Sequence, residues 1–542
     1  MRYGCGKNDD TQTIGRLDVH LLRTAMESGG SGELLLRSEP SSVISRAGDD
    51  GRGGWRAALF IVAVGFFERI GFFGVSANLI MYLTGPLGMS TAAAAAGVNA
   101  WSGTVQVLPL VGALVADSRL GRYRALLSAG LLYVLSLGML TASSMLQTAS
   151  SPPPAQLAFF YVALYLLALA QGFYAPCGEA FGADQFAPSD GGDPRFRSSY
   201  FNWFHFSISW GYAIASAGLS YLQDNAGWTI GFGACWAAMV LCLAVFLLGT
   251  PTYRAKQPAD GGPFAETVRA WSARVFRRKD TTTTERLLDQ QREADNGLVS
   301  KLLPIWLTSQ VFAAIFSQVS TLFTKQASTL DRRLGTTTTG IVVPPAALQC
   351  LTNITFIVML PLYDRVIVPL ARRLTGHAAG ITMLQRIGAS MATSCAAMAV
   401  AALVEARRLH VADDAGLVDR PDVAVPMTLW WMVPLYVLIG LAGVLGQVGL
   451  EEFFYDQVPD SLRSVGLALC LSIFGVGSYA SSILVSAIDW ATRSKGESWF
   501  SDNLNRAHLD YFYWLLAGLA ALEVAAFLHF ANRYVYRNKG EL

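Results

Sequence analysis

Charge is scarce in this chain. Only 15% of its 542 residues are Asp, Glu, Lys or Arg, against about 25% in an ordinary soluble domain. The formal net charge is +2, which gives no reason to expect a nucleic-acid partner. Cysteine builds no framework. Of the 7 residues, Cys177, Cys235, Cys242, Cys350, Cys395 and Cys470 lie in or beside apolar segments, where a free thiol behaves as a small hydrophobe. There is no CxxC pair or Cys/His cluster to suggest zinc, and the 6 histidines are widely scattered. No set of nucleophile, base and orienter marks an enzyme. The N-terminal stretch has no charged segment leading into an apolar core and cleavage site, so no secretory signal peptide is expected.

What the chain does have is long apolar runs. It is 52% hydrophobic, with a mean hydropathy of +0.37. Apolar segments recur at 56–84, 95–116, 124–146, 157–182, 199–221, 228–250, 299–325, 342–363, 380–404, 428–456, 462–487 and 508–534. Each is near the roughly twenty residues that cross a hydrocarbon core of about 30 Å, so the chain reads as an all-α membrane protein with about twelve transmembrane helices. Residues 1–54, rich in Gly, Ser, Arg and Asp, read as a disordered cytoplasmic tail. The longest interruption, 251–298, is polar and basic, with Arg277, Arg278, Lys279 and a threonine run from 281 to 284. As a linker it separates a six-helix half at 55–250 from another at 299–542. That is the major facilitator pattern, in which substrate binds between the halves near the midplane.

Lysine and arginine set the orientation. Arg52 and Arg56, the connection with Arg119, Arg122 and Arg124, the central loop, Arg372 and Arg373, and Arg533, Arg537 and Lys539 form one basic side. The connections at 85–94, 147–156 and 222–227 contain neither residue, although Arg332, Arg333, Arg407 and Arg408 weaken the contrast later. By the positive-inside rule both termini and the central loop are cytoplasmic.

The first apolar run, Trp55 to Thr84, carries Glu68 and Arg69 side by side near its midpoint. A charge at bilayer depth is costly unless it is paired or faces a watery cavity. The pair is therefore either a structural ion pair between helices or part of a substrate or ion pathway. Between the second and third runs lies GALVADSRLGRYRAL, Gly112 to Leu126. It resembles the cytoplasmic loop signature of major facilitator proteins, with Asp117, Gly121, Arg122 and Arg124 in its key positions. An acid at a helix end and arginines around a tight glycine turn can latch two helices; the alternative is simple topological anchoring.

Further motifs narrow the resemblance. FGADQF (Phe181–Phe186), FNWFHFSISWG (Phe201–Gly211), LPIWLTSQ (Leu303–Gln310), FTKQ (Phe323–Gln326), PPAALQ (Pro344–Gln349), YDRVIVPLARRLTG (Tyr363–Gly376), ITMLQRIG (Ile381–Gly388) and EEFFYDQVPDSLRSVGLALCLSIFGVG (Glu451–Gly477) are quoted from the chain as it stands. Together they resemble the plant nitrate and peptide transporter family, the plant branch of the proton-dependent oligopeptide transporters. The resemblance covers nearly everything from Trp55 onward. It implies a secondary-active carrier of nitrate, short peptides, hormones or other metabolites, coupled to protons and needing no other cofactor. It also implies a plasma or vacuolar membrane location, with the protein acting as a monomer or homodimer.

The departures from the family pattern bear on coupling. The first helix of the family usually reads Glu-x-x-Glu-Arg, and here Gly65 stands at the first Glu. The fourth helix usually has Lys directly before the residue matching Pro176, and here that residue is Ala175. The acid that commonly partners this Lys falls at Gly443. Losing both members of a buried pair leaves no orphan charge, whereas losing one would cost about 3–5 kcal/mol. The position resembling the family's nitrate-binding His is Phe316, which disfavours nitrate. Glu179, four residues after Ala175, is either a titratable group near the cytoplasmic mouth or a solvated helix-end charge. His205 is a packed neutral histidine or a proton relay. Glu451, Glu452 and Asp456 mark a gate or latch at the end of the tenth helix. Tyr174, with Phe72, Phe73, Phe204, Phe316 and Trp306, suits an organic substrate, though such residues also simply pack. The expected function is alternating-access transport with a partly missing coupling network; the alternatives are an uncoupled facilitator and a non-transporting sensor.

Overall fold

The computed structural model describes residues 53–116, 120–146, 153–186, 194–254, 302–334, 341–375, 381–458, 463–493 and 498–534. The expected tail and nearly all of the expected linker lie outside these residues. Ten described helices are long and apolar enough to cross a membrane. They are α1 (Gly54–Thr84), α2 (Thr91–Val115), α3 (Gly121–Met145), α4 (Pro154–Ala183), α6 (Trp228–Thr252), α8 (Pro345–Arg373), α9 (Met383–Asp414), α10 (Leu429–Asp456), α11 (Ala468–Arg493) and α12 (Leu509–Ala531).

The two remaining expected spans are helical but built differently. Helix α5 (Pro194–Ala213) runs through a π-helical turn, Ile214–Leu219, into Ser220–Ala226. It is rich in aromatic and polar residues rather than uniformly apolar. Helix α7 comes as Leu302–Phe316 followed by Leu322–Ser328. Hydroxyls explain its interruptions. Ser309 donates to the Ile305 carbonyl at 2.7 Å, Ser317 to Ala314 at 2.7 Å and Thr321 to Ser317 at 2.8 Å. Side chains that bond their own backbone compete with the helical ladder and bend it.

Helix α1 breaks after Ser76 and resumes at Leu79. Buried polar groups repair the break. Gln223 donates to the Gly74 carbonyl at 2.7 Å and accepts from the Asn78 amide at 3.0 Å. Two short strand pairs, not anticipated from the apolar pattern, form from the α7–α8 connection and the α9–α10 connection. Leu330–Asp331 runs parallel to Val425–Thr428, and Arg333–Leu334 runs antiparallel to Ile341–Val342.

Apolar side chains then decide the packing. In the first six helices, α3 packs on α4 and α6, α1 on α5 and α6, and α2 on α4. In the last six, α9 packs on α10 and α12, α8 on α10, and α7 on α11. The broadest contact between the two sets is α2 against α11. There the backbones meet almost directly: a Cβ on Gly103 would stand 2.9 Å from the Gly475 carbonyl oxygen. Only glycine permits that approach.

The charge bias leads one to expect the end with the α1–α2 turn to face outward and the end with the α2–α3 turn to face inward, and the two are called outer and inner on that expectation. Hydrogen bonds that join the two sets run from mid-membrane to the outer end. Thr104 and Tyr479 hydroxyls meet at 2.7 Å, Asn99 donates to Ser481 at 3.0 Å and Gln349 to the Ala77 carbonyl at 2.9 Å. Farther out, Lys325 donates to Thr84 at 3.0 Å, the Thr91 amide to Asp502 at 2.8 Å, and Arg332 to Asp224 at 3.1 Å. Arg408, fully buried, steadies the loop that carries Asp502 by bonding Glu405, Asn505 and the Leu504 carbonyl. These bonds tie the two sets of helices together at this end.

Candidate functional site

Between the two sets of helices lies a cavity of about 600 Å³. Its wall brings together Arg69 and Phe73 of α1, Gln106 of α2, Tyr212 of α5, Phe316 of α7, Asn353 and Phe356 of α8, Gln447 and Glu451 of α10, and Phe474 of α11. Arg69 and Glu451 are the two charged residues among its described lining. The rest is neutral polar, aromatic or aliphatic, with Ile208, Val319, Ile357 and Leu471 among the last. Phe316 packs on Phe312 at 5.0 Å and on Phe474 at 6.3 Å between ring centroids.

Glu68 and Arg69 take different surroundings because consecutive helical residues point about 100° apart. Glu68 is fully buried among α1, α3 and α4, while Arg69 reaches the cavity and lies over the Phe73 ring at 5.5 Å. The Arg69 Nε stands 3.5 Å from a Glu68 carboxylate oxygen. The other oxygen accepts a hydrogen bond from the Tyr133 hydroxyl of α3 at 2.8 Å. That hydroxyl is also hydrogen-bonded to Gln171 of α4, and Tyr174 packs its ring 6.2 Å from Tyr133. Tyr174 therefore belongs to the shell behind Arg69, not to the cavity lining.

The departures noted in the sequence are filled by aromatic rings. A Cβ at Gly65 would stand 2.8 Å from the Phe204 ring, and one at Gly443 would stand 2.6 Å from Phe356 and 2.9 Å from Phe316. Apolar packing occupies the places where the pattern expects acids. Ala175 is exposed. At the inner end, Glu179 and His205 approach to 3.6 Å, both substantially solvent-accessible. Glu452 turns away to Arg386, 3.5 Å off, and its neighbour Glu451 lines the cavity. Trp306 donates to Ser472 at 2.8 Å and Phe72 stacks on Trp101 at 5.8 Å, so both serve packing.

The POT family profile matches residues 123–500. The chain belongs to the POT family. It is 48% identical to Protein NRT1/PTR FAMILY 5.10 of Arabidopsis thaliana, over 89% of this chain and 93% of that one. It is 44% identical to Protein NRT1/PTR FAMILY 5.16 of the same plant, over 91% and 95%. Its fold matches an auto-inhibited POT family peptide transporter with a TM-score of 0.70 at 21% identity, over 90% of this chain and 99% of that one. A POT family transporter solved with 5-aminolevulinic acid matches with a TM-score of 0.66 at 15% identity, over 89% and 98%. The protein is thus a multi-pass membrane transporter of small solutes, built as a major facilitator fold, and not an enzyme.

Within this carrier, part of the stretch expected to form a latch between α2 and α3 lies among the described residues. Asp117 lies outside the described residues. Gly121 opens α3 with φ of +73°, a conformation that costs other residues about 1–2 kcal/mol. Arg122 forms an ion pair with Asp184 at the end of α4, whereas Arg124 is exposed. Gln185 continues the contact by bonding the Arg254 backbone beyond α6. The FGADQF motif therefore ties α3, α4 and α6 together. Sequence reading missed Tyr133, Gln171 and the partnership of Asp184. For Asp184 a signal existed, an acid in a quoted motif. For Tyr133 and Gln171 none did, since each sits in an apolar run as a packing residue would.

Proposed function

We propose that this carrier moves a small organic anion by alternating access, coupled to a proton that binds at Glu68. One observation carries the reading: the cation that lines the cavity, Arg69, is tied directly to a buried carboxylate that does not line it. A substrate carboxylate at Arg69 competes with Glu68 for the guanidinium, and Glu68, released, takes a proton. Tyr133 supports this. Its hydroxyl has one proton but meets oxygens of both Glu68 and Gln171. With Glu68 protonated, the acid donates to Tyr133 and Tyr133 donates to Gln171, so the one hydroxyl proton no longer has to serve two acceptors. The anion's body then lies against Phe73, Phe316, Phe356 and Phe474, with hydroxyl and amide groups around it. A ring at position 316 and a single cation at one end of the cavity suit an organic molecule better than nitrate.

A second reading has support too. The acids and lysine of the family pattern are absent at Gly65, Ala175 and Gly443, which favours an uncoupled facilitator. Uptake of candidate organic acids, dipeptides and nitrate into cells at an acidic and a neutral pH separates the two. Coupling through α1 predicts that Glu68→Gln abolishes the pH dependence of uptake and that Arg69→Ala abolishes transport. If uptake by the parent is indifferent to pH and Glu68→Gln transports normally, the facilitator stands. The Lys and Arg bias supports cytoplasmic termini, and the family resemblance supports a carrier of the plasma or the vacuolar membrane. A C-terminal tag labelled from outside intact cells would contradict that orientation. The cavity is formed within one chain, so one copy completes the cycle, alone or in a homodimer.

A further inference from the structure

One buried acid takes no part in the cavity. Glu523 lies within α12, is 5% exposed and is absent from the described cavity lining. A carboxyl group inside a membrane span is costly and needs a reason to be there. Here the reason lies on α7. One Glu523 oxygen accepts a hydrogen bond from the Phe312 backbone N–H at 3.0 Å, while the other has no hydrogen-bond partner among the described residues. In a continuous helix the Phe312 N–H would go to the Thr308 carbonyl, four residues back. Thr308 and Ser309 form a turn instead, in which the Ser309 amide reaches the Trp306 carbonyl at 3.3 Å. The ladder resumes with the Ala313 amide on the Ser309 carbonyl, also at 3.3 Å. An N–H freed inside a membrane has to find its partner within the protein. A side chain inserted into the ladder is also one of the few things that bend a helix sharply. Glu523 does both.

The segment that follows the turn, Gln310–Phe316, is closely fitted on its other sides. A Cβ at Gly446 of α10 would stand 2.4 Å from the Phe312 ring, and one at Gly477 of α11 would stand 2.4 Å from the Ala313 Cβ. Phe312 packs in turn on Phe316, with 5.0 Å between ring centroids, and Phe316 lines the cavity. The tie from α12 is therefore one ring removed from the cavity. We propose that Glu523 is a positioning residue: by holding the Phe312 N–H it fixes the bend of α7, and with it the place of Phe316 and Ser320 in the cavity wall. Without that acceptor the N–H returns to the Thr308 carbonyl, the helical ladder closes, and the residues beyond it turn relative to α10 and α11. The bearing on transport rests on the organic-anion reading, in which the body of the substrate lies against Phe316.

Two reporters read this without a substrate. Ser320→Cys places a thiol in the link between the two parts of α7, and Ile357→Cys places one on α8; both positions line the cavity. Each is introduced singly into the full chain, which is treated in detergent with a neutral methanethiosulfonate reagent, and modification at that position is followed by mass spectrometry. Glu523→Leu removes the acceptor, whereas Glu523→Gln keeps an oxygen at the same reach. Glu523→Leu is expected to speed labelling at position 320 several-fold and to leave position 357 unchanged, because the released segment moves while α8 does not. Glu523→Gln is expected to restore the parent's rate at 320. A loss that merely loosens the fold speeds both positions alike, and that result overturns the proposal. An unchanged rate at 320 in Glu523→Leu overturns it too, as does a Glu523→Gln variant that labels as fast as Glu523→Leu. Should Glu523→Leu not fold, Glu523→Asp, which draws the carboxylate back by one methylene, takes its place with the same expectation. Since no substrate enters the measurement, its failure and a failure of the organic-anion reading are told apart.

Discussion

Between Glu68 and Tyr133 a single 2.8 Å hydrogen bond works in a region closed to solvent. Deleting the hydroxyl leaves a buried carboxyl oxygen short of its donor, which costs about 2 kcal/mol for a bond to a charged group. Tyr133→Phe should therefore lower thermal stability in detergent. Combined with Glu68→Gln, its cost should be less than additive, since both changes dismantle one network. Strict additivity in a double-mutant cycle would show that Tyr133 only packs. At this scale the sequence is uneven as a source. Glu68 and Arg69 announce themselves, because charge at mid-span has few reasons to be there. Tyr133 and Gln171 do not, because only the third dimension turns them toward Glu68. The choice between Glu451 and Glu452 is equally invisible. Adjacent helical residues differ by about 100° in direction, and nothing in the string EEFF says which one faces the cavity.

The helices and their connections were more legible than their interruptions. Apolar length announces ten spans directly, whereas α7 is divided by serine and threonine side chains whose effect depends on rotamer. The α2–α3 loop is intermediate. Its glycine and arginines matched a known signature, yet the partner that Arg122 holds is Asp184 on α4. The Arg122 side chain is 39% exposed, and a pair so accessible to solvent contributes about 1 kcal/mol or less to stability. Its effect should therefore fall on turnover. Arg122→Ala and Asp184→Asn are expected to express normally and to slow transport alike, while Arg124→Ala, lacking an ion pair among the described residues, leaves the rate near that of the parent. Equal rates for all three would reduce the motif to a topological anchor. The rings over Gly65 and Gly443 explain how the carrier tolerates the missing acids: Phe204, Phe356 and Phe316 leave no void and no orphan charge.

Taken whole, the carrier is asymmetric across the membrane. Its outer end is tied across the halves, by neutral bonds such as Asn99 to Ser481 and Gln349 to Ala77 and by charged ones such as Arg332 to Asp224. Its inner end presents the ionisable groups Glu179, His205 and Glu451. That division was not visible beforehand, because each bond across the halves joins residues more than a hundred positions apart in the chain.

The crossing of Gly103 over Gly475 has a mechanical meaning. With no side chain between the two backbones, α2 and α11 come closest within their broad contact at the middle of α2, and a closest approach can serve as a fulcrum. Two rigid arms on a central fulcrum form a lever in which one end parts as the other meets, and neither arm needs to stretch. The thickness of the fulcrum sets how tightly either end can shut. Gly103→Ala inserts a methyl where a Cβ would stand 2.9 Å from the Gly475 oxygen, lifting both arms together. The expected result is a leak, in which small solutes equilibrate across proteoliposomes faster than the parent allows and without counter-movement of substrate. A variant that is merely slower, with no leak, would place the hinge of the cycle somewhere else.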